Sequence, residues 1–263
     1  MIVGYLGPKG SYSQIAAETF RPAAEFKEYA TFSEVFRALV EGECDYIAVP
    51  IENSLNGGVL QNIDLLQSNE GIIACEECTV KIDHRLATLK GADLKNIKRI
   101  YSHQQALAQC GEYLSLNFPA AELVASTSTA ASLSLIKDKT EAGIVGAHTR
   151  AEGFELSKEN IADEVVNLTH FLLIKRGSQA EITRSKKVFF SATCNHKPGE
   201  LLDLLALIRG LNMTKIESRP IKDKPGEYRF FIEIDANISS NETVLILEDI
   251  KRAAHSFKLL GAY

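Results

Sequence analysis

The chain has 263 residues, 45% of them hydrophobic, and its 29 Lys and Arg against 34 Asp and Glu leave a net charge of −5. That length holds one large domain or two modest ones with ample core, and the interspersed signs exclude the clustered basic surface that a nucleic-acid partner requires. The opening Met1-Ile2-Val3-Gly4-Tyr5-Leu6-Gly7-Pro8 is too short an apolar run, without a basic leader, for a secretory signal, and no later segment has the length and apolarity of a membrane span, so a cytoplasmic protein without a membrane partner is expected.

Residues 2–6 read as the first strand, followed by Gly7-Pro8-Lys9-Gly10-Ser11-Tyr12-Ser13 and a helix through 15–20. The glycines have the wrong spacing for a dinucleotide fingerprint, and the Gly-Lys-Ser/Thr ending of a nucleotide loop is missing. Ser11 or Ser13 reads as a helix cap, an ordinary structural role that also leaves backbone N–H groups free to hold a carboxylate or phosphate. A second apolar strand over 46–51 runs into Pro50-Ile51-Glu52-Asn53-Ser54-Leu55-Asn56-Gly57-Gly58. Polar groups at the end of such a strand are costly unless compensated, and paired glycines suggest a close backbone approach.

Cys75 and Cys78 form one C-x-x-C pair with no second pair or histidines at ligand spacing, so no metal is expected, and the odd total of five cysteines reads as reduced thiols. Further strands are expected over 100–102 and 142–146. Ser102-His103-Gln104-Gln105 and Ala125-Ser126-Thr127-Ser128-Thr129 supply two more polar clusters, with His103 as a helix-start residue. This alternation of strands with amphipathic helices over 1–176 predicts parallel sheets covered by helices, with the four clusters at strand carboxyl ends facing one cleft.

The last third changes character. Lys186 and Lys187 read as a solvated hinge, a strand follows over 188–193, and Pro198-Gly199 opens a helix with Leu201, Leu204, Leu205 and Ile208 at helical spacing and Gly210 at its stop. Strands near 213–216 and over 229–234, a helix over 244–253 and a closing strand over 257–260 complete a β-α-β-β-α-β, ferredoxin-like order. Within it, Gly199-Glu200-Leu201 and Glu217-Ser218-Arg219-Pro220 resemble the motifs of an amino-acid-sensing ACT domain.

Taken together with Asn167-Leu168-Thr169-His170-Phe171 and Ser128-Thr129-Ala130-Ala131, the clusters resemble the prephenate dehydratase family over nearly the whole chain. The resemblance implies an α/β fold with two periplasmic-binding-protein-like lobes, about 1–77 with 168–176 and 78–167, in a catalytic domain over 1–178, then an ACT regulatory domain over 185–263. It implies a carbon-oxygen lyase that converts prephenate to phenylpyruvate for phenylalanine biosynthesis, without a cofactor, in a homodimer or homotetramer under phenylalanine feedback. The catalytic residues it implies are Thr169, Asn53, Ser102 and Gln109, with Ser11, Tyr12, Ser13, Glu52, Ser54, Ser126, Thr127, His170 and Phe171 binding substrate. Phenylalanine would sit near Gly199, Glu200, Leu201, Glu217, Ser218, Arg219 and Pro220.

The family signature is Thr-Arg-Phe, and this chain carries Thr169-His170-Phe171, which exchanges a permanent guanidinium for an imidazole and makes His170 the expected source of an altered field around the cleft. Ser11 replaces the commoner threonine, Gln104 a proline and Glu200 an alanine. Arogenate dehydratase, non-aromatising prephenate decarboxylase, and an inactive amino-acid-sensing binding protein are the alternative readings.

Overall fold

The computed structural model describes residues 1–164, 166–178, 181–182, 184–195, 197–222, 224 and 226–263. Its first sheet grows around β1 (Ile2–Leu6), which lies parallel between β2 (Glu25–Tyr29) and β3 (Tyr46–Asn53). The crossovers are α1 (Tyr12–Phe20) and α2 (Phe32–Glu41), started by Ser11 and Thr31, whose hydroxyl oxygens each accept a backbone N–H three residues on. Past Asn53 the chain turns into β4 (Gly57–Gly58), which folds back on Glu52 and Asn53 before α3 (Leu60–Ser68) leads to β5 (Ile72–Lys81).

A second sheet then forms from β6 (His84–Leu89), β7 (Arg99–His103), β8 (Glu122–Ser126), β9 (Glu141–Gly146) and β10 (Phe154–Leu156), in the order β10-β6-β9-β7-β8. Between β7 and β8 lie α4 (Gln104–Gln109) and α5 (Gly111–Asn117). The return strand, β11 (Leu168–Arg176), inserts between β3 and β5 and runs antiparallel to both. Both sheets are therefore mixed rather than parallel, since β6 also pairs antiparallel with β9 and β10. Strands buried on both faces carry apolar runs in either pairing direction, so the sequence pattern did not distinguish them. The chain leaves the first sheet after Lys81 rather than at residue 77, because β5 stays paired with β11 out to Lys81 opposite Leu168.

Residues 187–262 supply β12 (Lys187–Thr193), α6 (Glu200–Ala206), β13 (Met213–Pro220), β14 (Tyr228–Asp235), α7 (Asn241–Ala253) and β15 (Ser256–Ala262), with strand order β13-β14-β12-β15. This sheet does not stand apart. Gly261 of β15 pairs with Ala74 of β5, which merges both into one sheet of ten strands among the described residues. A Cβ on Gly261 would lie 2.6 Å from that of Ala74, so glycine is required at the junction.

Alternation divides the C-terminal strands between two cores. Val188, Phe190, Ile232 and Ile234 pack with Leu204, Leu247 and Ile250 of α6 and α7. Phe189 and Phe231, their ring centroids 6.4 Å apart, join Phe36, Leu39, Ile63 and Leu66 of α2 and α3 in the core of the first lobe. Lys187 shares that second face, so it is no solvated hinge: its Nζ lies 3.0 Å from Glu77 and 3.2 Å from Glu233.

Because Phe231 is 1% exposed and shared between the two parts of the chain, Phe231→Ala is expected to cost about 3 to 5 kcal/mol. Thermal unfolding followed by calorimetry should shift as one transition, whereas loss of the C-terminal part alone would show the two cores to be independent.

Candidate active site

A cleft of about 760 Å³ lies between the two sheets. One wall carries Gly7, Ser11, Tyr12 and Ser13 from the β1–α1 turn, Asn53 from the end of β3, and Thr169 and Phe171 from β11; the other carries His84, His103, Gln109 and residues 127–131. Sequence-distant segments meet there because the end of β3 lies beside the start of the antiparallel β11, with Thr169 directly opposite Asn53.

Asn53 organises the centre. Its Oδ1 accepts the backbone N–H groups of Leu55 at 3.1 Å and Asn56 at 3.2 Å, so its Nδ2 faces the other way, donating to Thr169 Oγ1 at 2.9 Å and Asn167 Oδ1 at 2.7 Å. Thr169 is 7% exposed, and having accepted that bond its own O–H has no acceptor among the described residues. The group left over is a hydroxyl donor at the cleft surface.

No Lys or Arg is among the described residues that line the cleft. Glu28 brings a carboxylate to the rim, so an anion there depends on neutral donors, including the N–H groups of Tyr12 and Ser13, which the first turn of α1 leaves without intrahelical acceptors. The Tyr12 hydroxyl braces the two walls: it donates to Asp83 O at 2.5 Å and accepts from Asp83 N at 3.0 Å, and burial pushes its pKa up to about 12.

Of the residues expected in the site, Ser11, Tyr12, Ser13, Asn53, Gln109, Thr127, Thr169 and Phe171 line the cleft. Five do not. Ser102 is fully buried and its hydroxyl donates to Ile144 O at 2.8 Å. Ser126 donates to Ser128 O at 2.8 Å within its own turn, and Ser54 Oγ accepts the Leu168 N–H at 3.0 Å, tying the end of β3 to the start of β11, so both hydroxyls are committed to the backbone. Glu52 and His170 fall on the opposite face of their strands from Asn53 and Thr169. There Glu52 pairs with Lys215, and His170 Nδ1 lies 3.1 Å from Thr79 Oγ1 and 3.5 Å from Glu77. His170 therefore does not shape the cleft as a wall residue. His84 and Asn167, absent from the expected site set, are 3% and 1% exposed and bond Gln109 from two sides. A lone His at a strand start carries no spacing signal, since its partner lies 25 residues away.

The two motifs of the C-terminal part also separate. A cavity of about 350 Å³ is lined by Lys197, Pro198, Glu200, Leu201, Tyr228 and Phe230 among others. Residues 217–220 lie instead in β13 against the first lobe, where Arg219 donates to both Asp64 oxygens at 2.6 and 3.2 Å and Glu217 approaches Gly58 so closely that a Cβ there would lie 3.1 Å from Oε1. Cys75 and Cys78 sit on β5, their thiols raised by burial to about 11 and about 12. Among the described residues no cluster of His, Cys, Asp and Glu is arranged to hold a metal, and no helix is long and apolar enough to cross a membrane.

The family model described as prephenate dehydratase matches residues 3–179. The chain belongs to that family. The prephenate dehydratase of Lactococcus lactis subsp. cremoris is 34% identical over 275 residues, covering 100% of this chain and 97% of the relative. The bifunctional chorismate mutase/prephenate dehydratase of Stutzerimonas stutzeri is 35% identical over 99% of this chain and 72% of its own length. Among solved structures, the prephenate dehydratase of Arthrobacter aurescens in complex with L-Phe superposes with a TM-score of 0.89 at 30% identity, covering 100% of this chain and 90% of that one. The prephenate dehydratase of Staphylococcus aureus gives 0.85 at 29% identity, with both chains fully covered. The family's signature threonine is thus the residue that presents its hydroxyl to the cleft.

Behind the site of this prephenate dehydratase family member, burial acts to raise Glu77, but hydrogen bonds from His170 and Lys187 outweigh it and hold the carboxyl below its ordinary 4.5. A depressed carboxyl stabilises the fold above its unfolded value, and that contribution fades as pH falls through the folded one. Denaturant midpoints should therefore drop more steeply for the wild type than for Glu77→Gln between about pH 5 and 3; equal slopes would show that the pair contributes nothing.

Proposed function

We propose that the chain is a prephenate dehydratase, a carbon-oxygen lyase that converts prephenate to phenylpyruvate, carbon dioxide and water in phenylalanine biosynthesis. The observation that carries the reading is the Thr169 hydroxyl, held by Asn53 with its proton unspent at the cleft surface. As the ring carboxylate leaves as carbon dioxide, its bonding pair enters the ring, and the C–O bond to the ring hydroxyl breaks with its pair on oxygen. Aromatisation supplies the driving force, and the departing hydroxide needs one proton, which Thr169 passes to it along its hydrogen bond while a solvent proton restores the threonine hydroxyl, so that the net proton consumed comes from water. Asn53 aims Thr169, Gln109 and the Tyr12 and Ser13 N–H groups hold carboxylates, and Phe171 gives the ring an apolar wall. Ser11 and Thr127 complete the polar rim.

The two sheets support a periplasmic-binding-protein-like pair of lobes, with the division after Lys81. The β-α-β-β-α-β order of 187–262 supports an ACT-type effector domain, read here as 185–263 beside a catalytic domain of 1–178. Phenylalanine is the effector suggested by the L-Phe in the Arthrobacter aurescens structure. Its place is the cavity at Glu200 and Leu201, completed in a homodimer or homotetramer by a partner's β13. That edge strand exposes Met213 and Ile216, and α6 and α7 expose Leu202, Val244 and Leu245, apolar surface that pairing would cover.

Thr169→Ala should lower kcat at least about 10²-fold with the circular dichroism unchanged, while Thr169→Ser keeps most of the rate, measured as phenylpyruvate formed from prephenate. An alanine variant of near-parental activity would remove Thr169 from the chemistry. Calorimetry with phenylalanine should show binding that Leu201→Arg abolishes without disturbing prephenate turnover; binding unaffected by that change would put the effector elsewhere.

A further inference from the structure

The polarity of the hydrogen bonds running from Asn53 into the second lobe is fixed at one end. Backbone N–H groups of Leu55 and Asn56 can only donate, so they hold the Asn53 oxygen toward themselves and turn its Nδ2 toward Asn167. Asn167 must then accept with Oδ1, which directs its Nδ2 to Gln109 Oε1 at 3.2 Å. His84 Nε2 lies 2.9 Å from the same Oε1 and must be the protonated ring nitrogen. Gln109 Oε1 thus receives two donors, and its Nε2, although shielded from solvent, has no partner among the described residues.

We propose that His84 and Asn167 are positioning residues, which hold the Gln109 carbonyl oxygen toward themselves and so leave its screened N–H edge free of protein partners, available to a substrate carboxylate in the adjoining cleft once binding displaces the groups that cover it. Leaving a buried amide donor unpaired is costly in the empty protein, and a carboxylate acceptor recovers that cost on binding. The geometry needs neutral His84 with its single proton on Nε2, and Nδ1 has no acceptor among the described residues to receive a second proton. Burial acts the same way, lowering the affinity of the imidazole for that proton against the opposing influence of Gln109 and Asp83. This role deepens, and rests on, the reading of the cleft as the prephenate site.

A donor that holds the carboxylate equally in the bound and transition states affects KM rather than kcat. His84→Leu is expected to raise KM for prephenate about 10-fold with kcat within about 3-fold, whereas His84→Gln, whose amide N–H reaches the same point, stays within about 3-fold of wild type in both. Nitrogen-15 NMR of the unliganded wild-type protein should show His84 Nε2 as the protonated ring nitrogen and Nδ1 as the bare one. Equal losses in the two variants, an unchanged KM in His84→Leu, or the opposite tautomer would overturn the assignment. Should the variants fail to fold, the tautomer decides alone. A wild-type protein that binds but does not convert prephenate would instead sink the dehydratase reading, and the tautomer would still report whether the amide is turned as described.

Discussion

The pairing of β11 with β3 is the constraint on which the rest of the structure depends. It sets Thr169 beside Asn53 across two strands separated by more than a hundred residues, and the 2.9 Å bond between them frees the threonine proton. The same pairing fixes what lies behind. With side chains alternating across the sheet, the residues next in sequence, His170 and Glu52, face the C-terminal part, where Glu77 and Lys187 meet His170's face and Lys215 meets Glu52. One register therefore specifies both the cleft surface and a contact surface for the C-terminal part.

That arrangement gives regulation a physical route. The C-terminal sheet is continuous with the catalytic sheet through Gly261 and shares Phe189 and Phe231 with its core, so it is unable to move as a free body on a linker. Were the effector bound at the cavity proposed for it, its influence would have to be expressed as a shift in β12 and β13, whose lysines and arginine grip Glu77, Glu52 and Asp64. An effector acts only through its difference in affinity between two such arrangements, and ion pairs one residue removed from Asn53 and Thr169 are well placed to make those arrangements differ at the reacting groups.

Much of this was legible in the sequence, and the exceptions share a cause. The strands over 2–6, 46–51, 142–146 and 188–193 fall within observed ones because their apolar runs are long and bounded by turn residues. Clusters at strand ends converge on one cleft, and eight of the thirteen residues expected in the site line it. The failures involve direction rather than position. Thr169-His170-Phe171 reads as one motif, yet a strand sends its middle residue to the other face; Ser102 and Ser126 stand beside the cleft with their hydroxyls already committed to carbonyls. Ser126 bonds a carbonyl only two residues on, but for Ser102 and the amides the direction is decided by partners such as Ile144 or Asn167, distant in sequence, and no local pattern encodes those. Lys187 was misread for the same reason, its carboxylate partners lying 110 and 46 residues away.

The absence of Lys and Arg among the described cleft residues is consistent with the chemistry rather than an obstacle to it. In the elimination, the ring carboxylate gives up its charge as it becomes carbon dioxide, while charge grows on the departing hydroxyl. A fixed cation on that carboxylate would hold the ground state more strongly than the transition state and slow the step. In the reading proposed above, neutral N–H donors would bind the dianion with less of this penalty, and a hydroxyl donor at the leaving oxygen would strengthen its bond as charge develops there. The substitution of His170 for the family's arginine is tolerable on the same grounds, since the strand directs that position away from the reacting groups and toward Glu77. What the site requires is orientation, and orientation is what the backbone N–H groups at Leu55 and Asn56 impose through Asn53.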